Sequence, residues 1–465
     1  MSNDESRVSK FETLRGNSTL VIFAFILVAY LVVGALYAVK TPAWQVPDEP
    51  AHYNYIRHIA EGRGLPVLQP GDYNQDYLER IKAAKFPPSM PVDSIRYESW
   101  QPPLYYLLAA PVYVATSGSL FALRLFSVVL GGGVVLLAFL IVHRLAPHSP
   151  ALALGTAAFV AFVPQHVAMM AGAQNDSLAE LLLAVIVLQI SNFNPPEKRG
   201  AGFQISKGRL ATVGVLLGLA LVTKGTVDVA APLVAIAIWL THRAQPSPRD
   251  RKWLIKNGAL VFVPALIVAL PLWTRNIVVY GWPDFLGSIR HDAVVLGQPT
   301  PAEWIAKYGL TEYLRQFMVT TFNSFWGQFG WMGVPMNGRY YAILAVASLA
   351  AFVGLVWFLN LKSQPPKRTG GRLSNLKFEM WILVFWVLLA VLAYMSYNLK
   401  YVQFQGRYLF PALIPIGLAF TVGLRQWTML LPRAWQGWVL TIPYIGLAAL
   451  DVIALFRMIV LTLAP

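Results

Sequence analysis

The chain alternates apolar runs of membrane length with short polar connectors, and eleven of these runs are predicted as spanning helices: Thr19–Val39, Leu120–Val142, Ala151–Ala171, Ser177–Ile190, Leu210–Val222, Val227–Leu240, Gly258–Val278, Tyr340–Leu361, Met380–Tyr397, Tyr408–Leu424 and Gly437–Leu461. About 20 apolar residues in helical form cross a bilayer's hydrocarbon core. The first run follows a polar stretch, Met1–Ser18, and has no small-residue cleavage signature, so it reads as a retained span rather than a removed signal peptide. Pro102–Ser117 is also apolar, but it is 16 residues long and holds three prolines, Pro111 in its middle. That is short for a span, and it reads as a helix lying at the interface, anchored by Tyr105, Tyr106 and Tyr113. The expected fold is an all-α polytopic membrane protein forming one domain over residues 1–465. Residues 40–119 form a first outer loop carrying juxtamembrane helices and 279–339 a second large outer loop, with no separate soluble domain.

Composition supports the class: 56% of residues are apolar and only 13% charged, well outside the range of soluble domains. The formal net charge of +15 invites a nucleic-acid reading, but its distribution argues for topology instead. With a cytoplasmic N-terminus, the inner segments hold twenty Lys and Arg residues against six acids, as the positive-inside bias requires. No nucleic-acid partner is expected. Cysteine is absent, which removes disulfides, thiolate nucleophiles and cysteine metal ligands.

This topology collects polar motifs from six separated segments on the outer side: PDEPAHY at 47–53, ESWQPPLYY at 98–106, QNDS at 174–177, TKG at 223–225, FWGQFGW at 325–331 and QGRY at 405–408. Ionisable groups at a membrane surface usually carry chemistry, transport or binding. Asp48 and Glu49 follow Pro47, and one of them would serve as a helix cap. Two adjacent carboxylates with His52 one turn later exceed that need. Glu98 and Gln101 precede a Pro-Pro pair, where a helix start or a solvated loop competes with a substrate contact. Asn175 and Asp176 sit in a tight turn between apolar segments, with capping by Asp176 as the rival reading. Lys224 either snorkels or binds an anionic lipid phosphate. Arg407 and the adjoining Tyr408 open a span, and the planar guanidinium suits a phosphate. Arg275 and Arg339 are lesser candidates of the same kind. The aromatic run Phe322–Gly333 is an interfacial belt or a wall of a sugar or lipid site. Asp228 and Asp451, near mid-span, are the few groups that a transporter's path would use.

Taken together, PDEPAHY in the first outer loop, QPPLYY, the Arg124–Leu125 pair opening the second span, Asn175–Asp176, FWGQFGW and QGRYLFP resemble the GT-C membrane glycosyltransferases. Protein O-mannosyltransferases and lipid A aminoarabinose transferases share this layout, and the pattern is most similar to a bacterial branch of predicted membrane proteins. It covers nearly the whole chain. Such relatives often carry a soluble C-terminal domain, whereas this sequence stops just after its last span, so acceptor recognition is expected from outer loops or a partner protein. The resemblance implies a polyprenyl-phosphate sugar donor and transfer, with inversion, to a glycan, lipid or protein acceptor outside the cytoplasmic membrane. Asp48 is then the candidate base, with Glu49 positioning or replacing it. Lys224 and Arg407 would hold the lipid phosphate, assisted by Arg275 or Arg339. His52, Glu98, Gln101, Tyr105, Asn175, Asp176 and Tyr408 would line the substrate. A divalent cation, Mg or Mn, on Asp48 and Asp176 is left open, since hard cations favour carboxylate oxygen. A lipid-linked glycan polymerase or ligase, a flippase or transporter, and a non-catalytic assembly protein are the alternatives.

Overall fold

The computed structural model describes residues 2–193, 205–243, 251–363 and 376–464, with side chains from residue 18 onward except at 362–363 and 376–377. The basic connectors around Lys198 and Arg199, Arg249, and Lys367, Arg368 and Arg372 lie outside the described residues. In chain order the helices are α1 (Ser2–Lys40), α2 (Glu49–Ala60), α3 (Gln75–Ala83), α4 (Leu104–Ala115), α5 (Leu120–Leu145), α6 (Pro150–Phe162), α7 (Pro164–Met170), α8 (Asp176–Ile190), α9 (Lys207–Leu221), α10 (Ala230–Arg243) and α11 (Arg251–Tyr280). After these come α12 (Ser288–Val294), α13 (Pro301–Tyr308), α14 (Leu310–Trp326), α15 (Gly338–Ser363), α16 (Leu376–Asn398), α17 (Leu413–Thr428), α18 (Arg433–Ile453) and α19 (Val460–Leu463). A two-stranded hairpin, β1 (Gln328–Phe329) antiparallel to β2 (Val334–Pro335), lies between α14 and α15. The protein is an all-α polytopic membrane protein.

Among the described residues nine helices are long and apolar enough to cross a membrane, or ten if α6 and α7 form one broken span. The expected run Ala151–Ala171 is that pair, bent by 64°. Pro164 explains the break, because it has no N–H to give the Val160 carbonyl four residues back. The His166 ring nitrogen Nδ1 takes that carbonyl instead, at 2.8 Å. The one expected run not counted among these ten, Leu210–Val222, is α9, only 15 residues long. Its first turn bonds the 3-10 turn that follows α8, Ser191–Phe193, Arg209 to the Asn192 carbonyl at 3.3 Å, and the residues just beyond its end reach the start of α8, Lys224 to Asp176 at 2.7 Å. It therefore runs antiparallel to α8 over the same depth. On its other face Gly214 and Gly218, four residues apart, let α11 approach so closely that a Cβ on either would lie 2.3 and 2.8 Å from the carbonyls of Val261 and Ala265. Small residues at this spacing are how apolar helices pack without a hydrophobic driving force between them.

Residues 41–119 fold over one end of the bundle. A small core of Ala51, Leu78, Ile81, Phe86, Ile95 and Tyr97, closed by Val295, joins α2, α3 and the segment after it. The helix expected over Pro102–Ser117 is α4, but Tyr105 and Tyr106 are fully buried, so they are not interfacial anchors. They lie between α4 and its neighbours inside the fold. Lys85 of this loop donates to the Ala464 carbonyl at 3.0 Å, so the last helix ends at the same end of the bundle as the loop. The hairpin closes over that end too, with the Trp331 indole donating to the Trp44 carbonyl at 2.9 Å.

Candidate active site

Asp48 stands where the chain enters α2, with φ 68° and ψ −7°. A left-handed backbone is uncommon outside glycine, Asp and Asn tolerate it best, and such outliers cluster at functional sites. Its carboxylate caps nothing. Oδ1 accepts from the Tyr97 hydroxyl at 2.8 Å and Oδ2 from the Arg407 guanidinium at 3.0 Å. Burial alone would raise the Asp48 carboxyl, but Arg407 and Tyr97 outweigh it and hold it below its usual range.

Glu49 occupies a different environment. Its side chain is 0% exposed and meets Arg124, 3% exposed, in a two-pronged pair with bonds of 2.7 and 2.6 Å. The backbone N–H groups of Trp44 and Ala173 fill its remaining acceptor positions. Arg124 spends its other donors on the carbonyls of Ala38, Thr41 and Pro42. Both groups are thus saturated, and the pair clamps the turn that precedes α2.

His52 bonds the Tyr106 hydroxyl at 2.8 Å through Nδ1. Burial first, and Lys224 second, depress the His52 imidazole to about 3, so it is neutral at ordinary pH. Tyr55 stacks on Tyr106 with centroids 3.8 Å apart. Asn175 links the next layer, donating over 3.3–3.4 Å toward the Gln101 amide oxygen, Tyr106 and the Thr223 carbonyl. Asp176 and Lys224 pair at 2.7 Å. Arg407 lies in a short 3-10 segment, Gly406–Ala412, whose Gly406 N–H donates to Ser324 at 2.7 Å. Asp48, His52, Glu98, Asp176 and Tyr408 each feel the charge of Arg407, and His52, Glu98 and Asp176 also feel that of Lys224, which gathers them into a single cluster.

Burial, then the neighbouring Asp48 charge, pushes the Glu98 carboxyl up to about 7. Its Oε2, the Asn175 amide oxygen, the Trp100 indole nitrogen and the Arg407 Nε are all buried without a hydrogen-bond partner.

Three expected substrate contacts lie elsewhere. Tyr105 points at α5, its hydroxyl 2.7 Å from Ser127, while its neighbour Tyr106 takes the place facing the cluster. Arg275 is consumed by the Leu65 and Pro66 carbonyls, the Asn276 amide oxygen and the Tyr280 hydroxyl, so it fastens the first loop to the end of α11. Arg339 is exposed at the start of α15, and its guanidinium makes no hydrogen bond among the described residues. Tyr97 and Arg124 are central here without having been read as site residues. Only a contact between distant segments gives either its role. The expected cation ligands, Asp48 and Asp176, are each already paired with a basic side chain, and among the described residues no three His, Asp or Glu side chains converge to hold a metal. This donor set does not fit a divalent cation.

The chain shares its fold, a bundle with one broken helix pair and a helical first loop covering one end, with proteins of known structure. It aligns with ArnT of Cupriavidus metallidurans in the apo state at TM-score 0.53 and 12% identity, over 97% of this chain and 74% of that one. With the same protein bound to undecaprenyl phosphate the values are 0.51 and 13%, over 96% and 74%. An oligosaccharyltransferase of Archaeoglobus fulgidus, tethered with an acceptor peptide, aligns at 0.50 and 14% identity over 94% of this chain. The chain spans about half of that enzyme's length, 54%. Residues 67–278 match the family described as dolichyl-phosphate-mannose-protein mannosyltransferase. That stretch includes Glu98, Asn175, Asp176 and Lys224 but neither Asp48 nor Arg407. No curated protein matches the sequence.

Proposed function

We propose that the protein is a membrane glycosyltransferase that moves a sugar from a polyprenyl-phosphate carrier to an acceptor, with inversion. The observation that carries this reading is the juxtaposition of two ion pairs, Asp48–Arg407 and Asp176–Lys224, in one partly buried cluster at a membrane end. Two cations and two carboxylates balance before substrate arrives. A phosphate diester entering between them draws Arg407 and Lys224 onto its oxygens, and both cations then stabilise the second negative charge that develops as the sugar leaves. Arg407 releases Asp48 in the same exchange, freeing Oδ2 to accept the hydrogen bond of an attacking hydroxyl. Attack from the face opposite the departing phosphate inverts the anomeric carbon. His52, Tyr106, Gln101 and Asn175 form the polar wall beside that path.

The basic asymmetry of the connectors supports a cytoplasmic N-terminus in the cytoplasmic membrane, and with it an extracytoplasmic position for this cluster. The acceptor there is a glycan, lipid or protein of the cell envelope. The test is a transfer assay in membranes with a panel of radiolabelled polyprenyl-phosphate sugars. Label passing from one of them to a non-carrier product is the expected result. Wild-type protein that moves label from none of the panel would overturn the reading.

A further inference from the structure

Resting on the transfer reading, we infer that Glu98 takes the proton of the attacking hydroxyl, while Asp48 orients that hydroxyl. The acids and bases of the cluster differ in how fully their atoms are engaged. Glu49 has all its acceptor positions filled by Arg124, Trp44 and Ala173. Asp176 bonds Lys224 at 2.7 Å. Asp48 bonds Tyr97 and Arg407, and these partners stabilise its anion, which makes it a weak proton acceptor. His52 is a weak acceptor as well, since its protonated form is suppressed by burial beside Lys224. Glu98 differs on geometry: its Oε2 is buried with no partner, and it lies three residues before Gln101, whose amide oxygen accepts from Asn175.

The charged and titratable groups facing Glu98 come from every segment around it: Asp48 from the α2 turn, Lys224 from the break after α9, Arg407 from the 3-10 segment, Tyr97 beside it, Tyr106 on α4 and Tyr397 on α16. Burial and Asp48 raise its affinity for a proton, while Lys224 and Arg407 oppose them, and the balance falls at about 7. Two carboxylates whose surroundings push their proton affinities apart divide the labour of a site. A base is most effective when its own pKa lies near the working pH.

In the step itself the acceptor oxygen bonds to the anomeric carbon as the carbon–oxygen bond to phosphate breaks. The bonding electron pair leaves on the phosphate, which Arg407 and Lys224 hold. The hydroxyl proton passes to Oε2 of Glu98 and is later lost to water.

The experiment is the pH dependence of kcat/KM for sugar transfer in proteoliposomes, for wild type, Glu98→Gln and Glu98→Asp, with thermal unfolding of each variant as a check on folding. Wild-type activity should rise about tenfold per pH unit below a midpoint near 7, because only the ionised carboxyl accepts a proton. Glu98→Gln should lose this limb and about 10²–10⁴-fold in rate, whereas Glu98→Asp, which keeps a carboxyl, should retain a limb. Active wild type with Glu98→Gln at full rate and an unchanged pH profile overturns the assignment of Glu98 alone. Wild type inactive with every donor overturns the transfer reading and the assignment with it.

Discussion

Replacing Arg124 by alanine should be among the most damaging single changes to this protein, although every donor of its guanidinium is spent inside the fold. Its side chain is 3% exposed, and the Glu49 carboxylate it meets is 0% exposed. Removing one member of a buried ion pair leaves the other charge uncompensated and costs about 3–5 kcal/mol. The carbonyls of Ala38, Thr41 and Pro42 lose their donors as well, at about 1 kcal/mol each where water does not replace them. The expected loss is thus about 5 kcal/mol or more. Glu49→Ala should cost about 3 kcal/mol for the same reason. The double variant strands no charge, so it should be less destabilised than the two single losses added together, by about 2 kcal/mol or more. Reversible unfolding in mixed micelles of rising dodecyl sulfate content, followed by tryptophan fluorescence, measures all three. Strict additivity, or a loss under about 1 kcal/mol for Arg124→Ala, would refute the clamp.

Two other changes test how the site is held. A Cβ at Gly406 would lie 2.3 Å from the Thr321 carbonyl and 2.5 Å from the Phe325 nitrogen, so Gly406→Ala should push the 3-10 segment off α14. It should lower both thermal stability and the transfer rate, by displacing the adjacent Arg407. Arg275→Ala should cost stability of the first loop, seen as faster proteolysis between residues 61 and 75, since it removes bonds to Leu65 and Pro66. Arg339→Ala, at an exposed position, should leave stability and donor KM at wild-type values when the two variants are measured side by side.

Much of the architecture was legible as a succession of apolar runs, because the bilayer imposes a length that a sequence displays directly. The break within Ala151–Ala171 was less legible, as the run is continuous in hydropathy and only Pro164, with His166 repairing the lost bond, interrupts it. The short α9 is recognisable through its glycine pair, whose meaning depends on what lies opposite. In the candidate site, Asp48, Asp176, Lys224 and Arg407 stood out as charges beside apolar sequence. The division of labour between Asp48 and Glu49 did not, since neighbours in sequence here face different partners: Glu49 meets Arg124, 75 positions away, and Asp48 meets Arg407, 359 positions away. The same limit applied to Tyr105 and Tyr106. Helical pitch turns adjacent tyrosines to different neighbours, and only the packing of α4 shows which one meets His52.

Asp48 and Arg407 should act as one unit on a phosphate-linked sugar, and the proposed chemistry stands or falls with that pairing. The decisive measurement is a kinetic cycle of kcat/KM for wild type, Asp48→Asn, Arg407→Ala and the double variant, in proteoliposomes with a donor that wild type uses. Residues that work together lose their contributions together, so each single change should cost about 10²-fold or more and the double change little beyond the worse single one. Full activity in either single variant, or losses that multiply in the double, would show that the two side chains do not share the job.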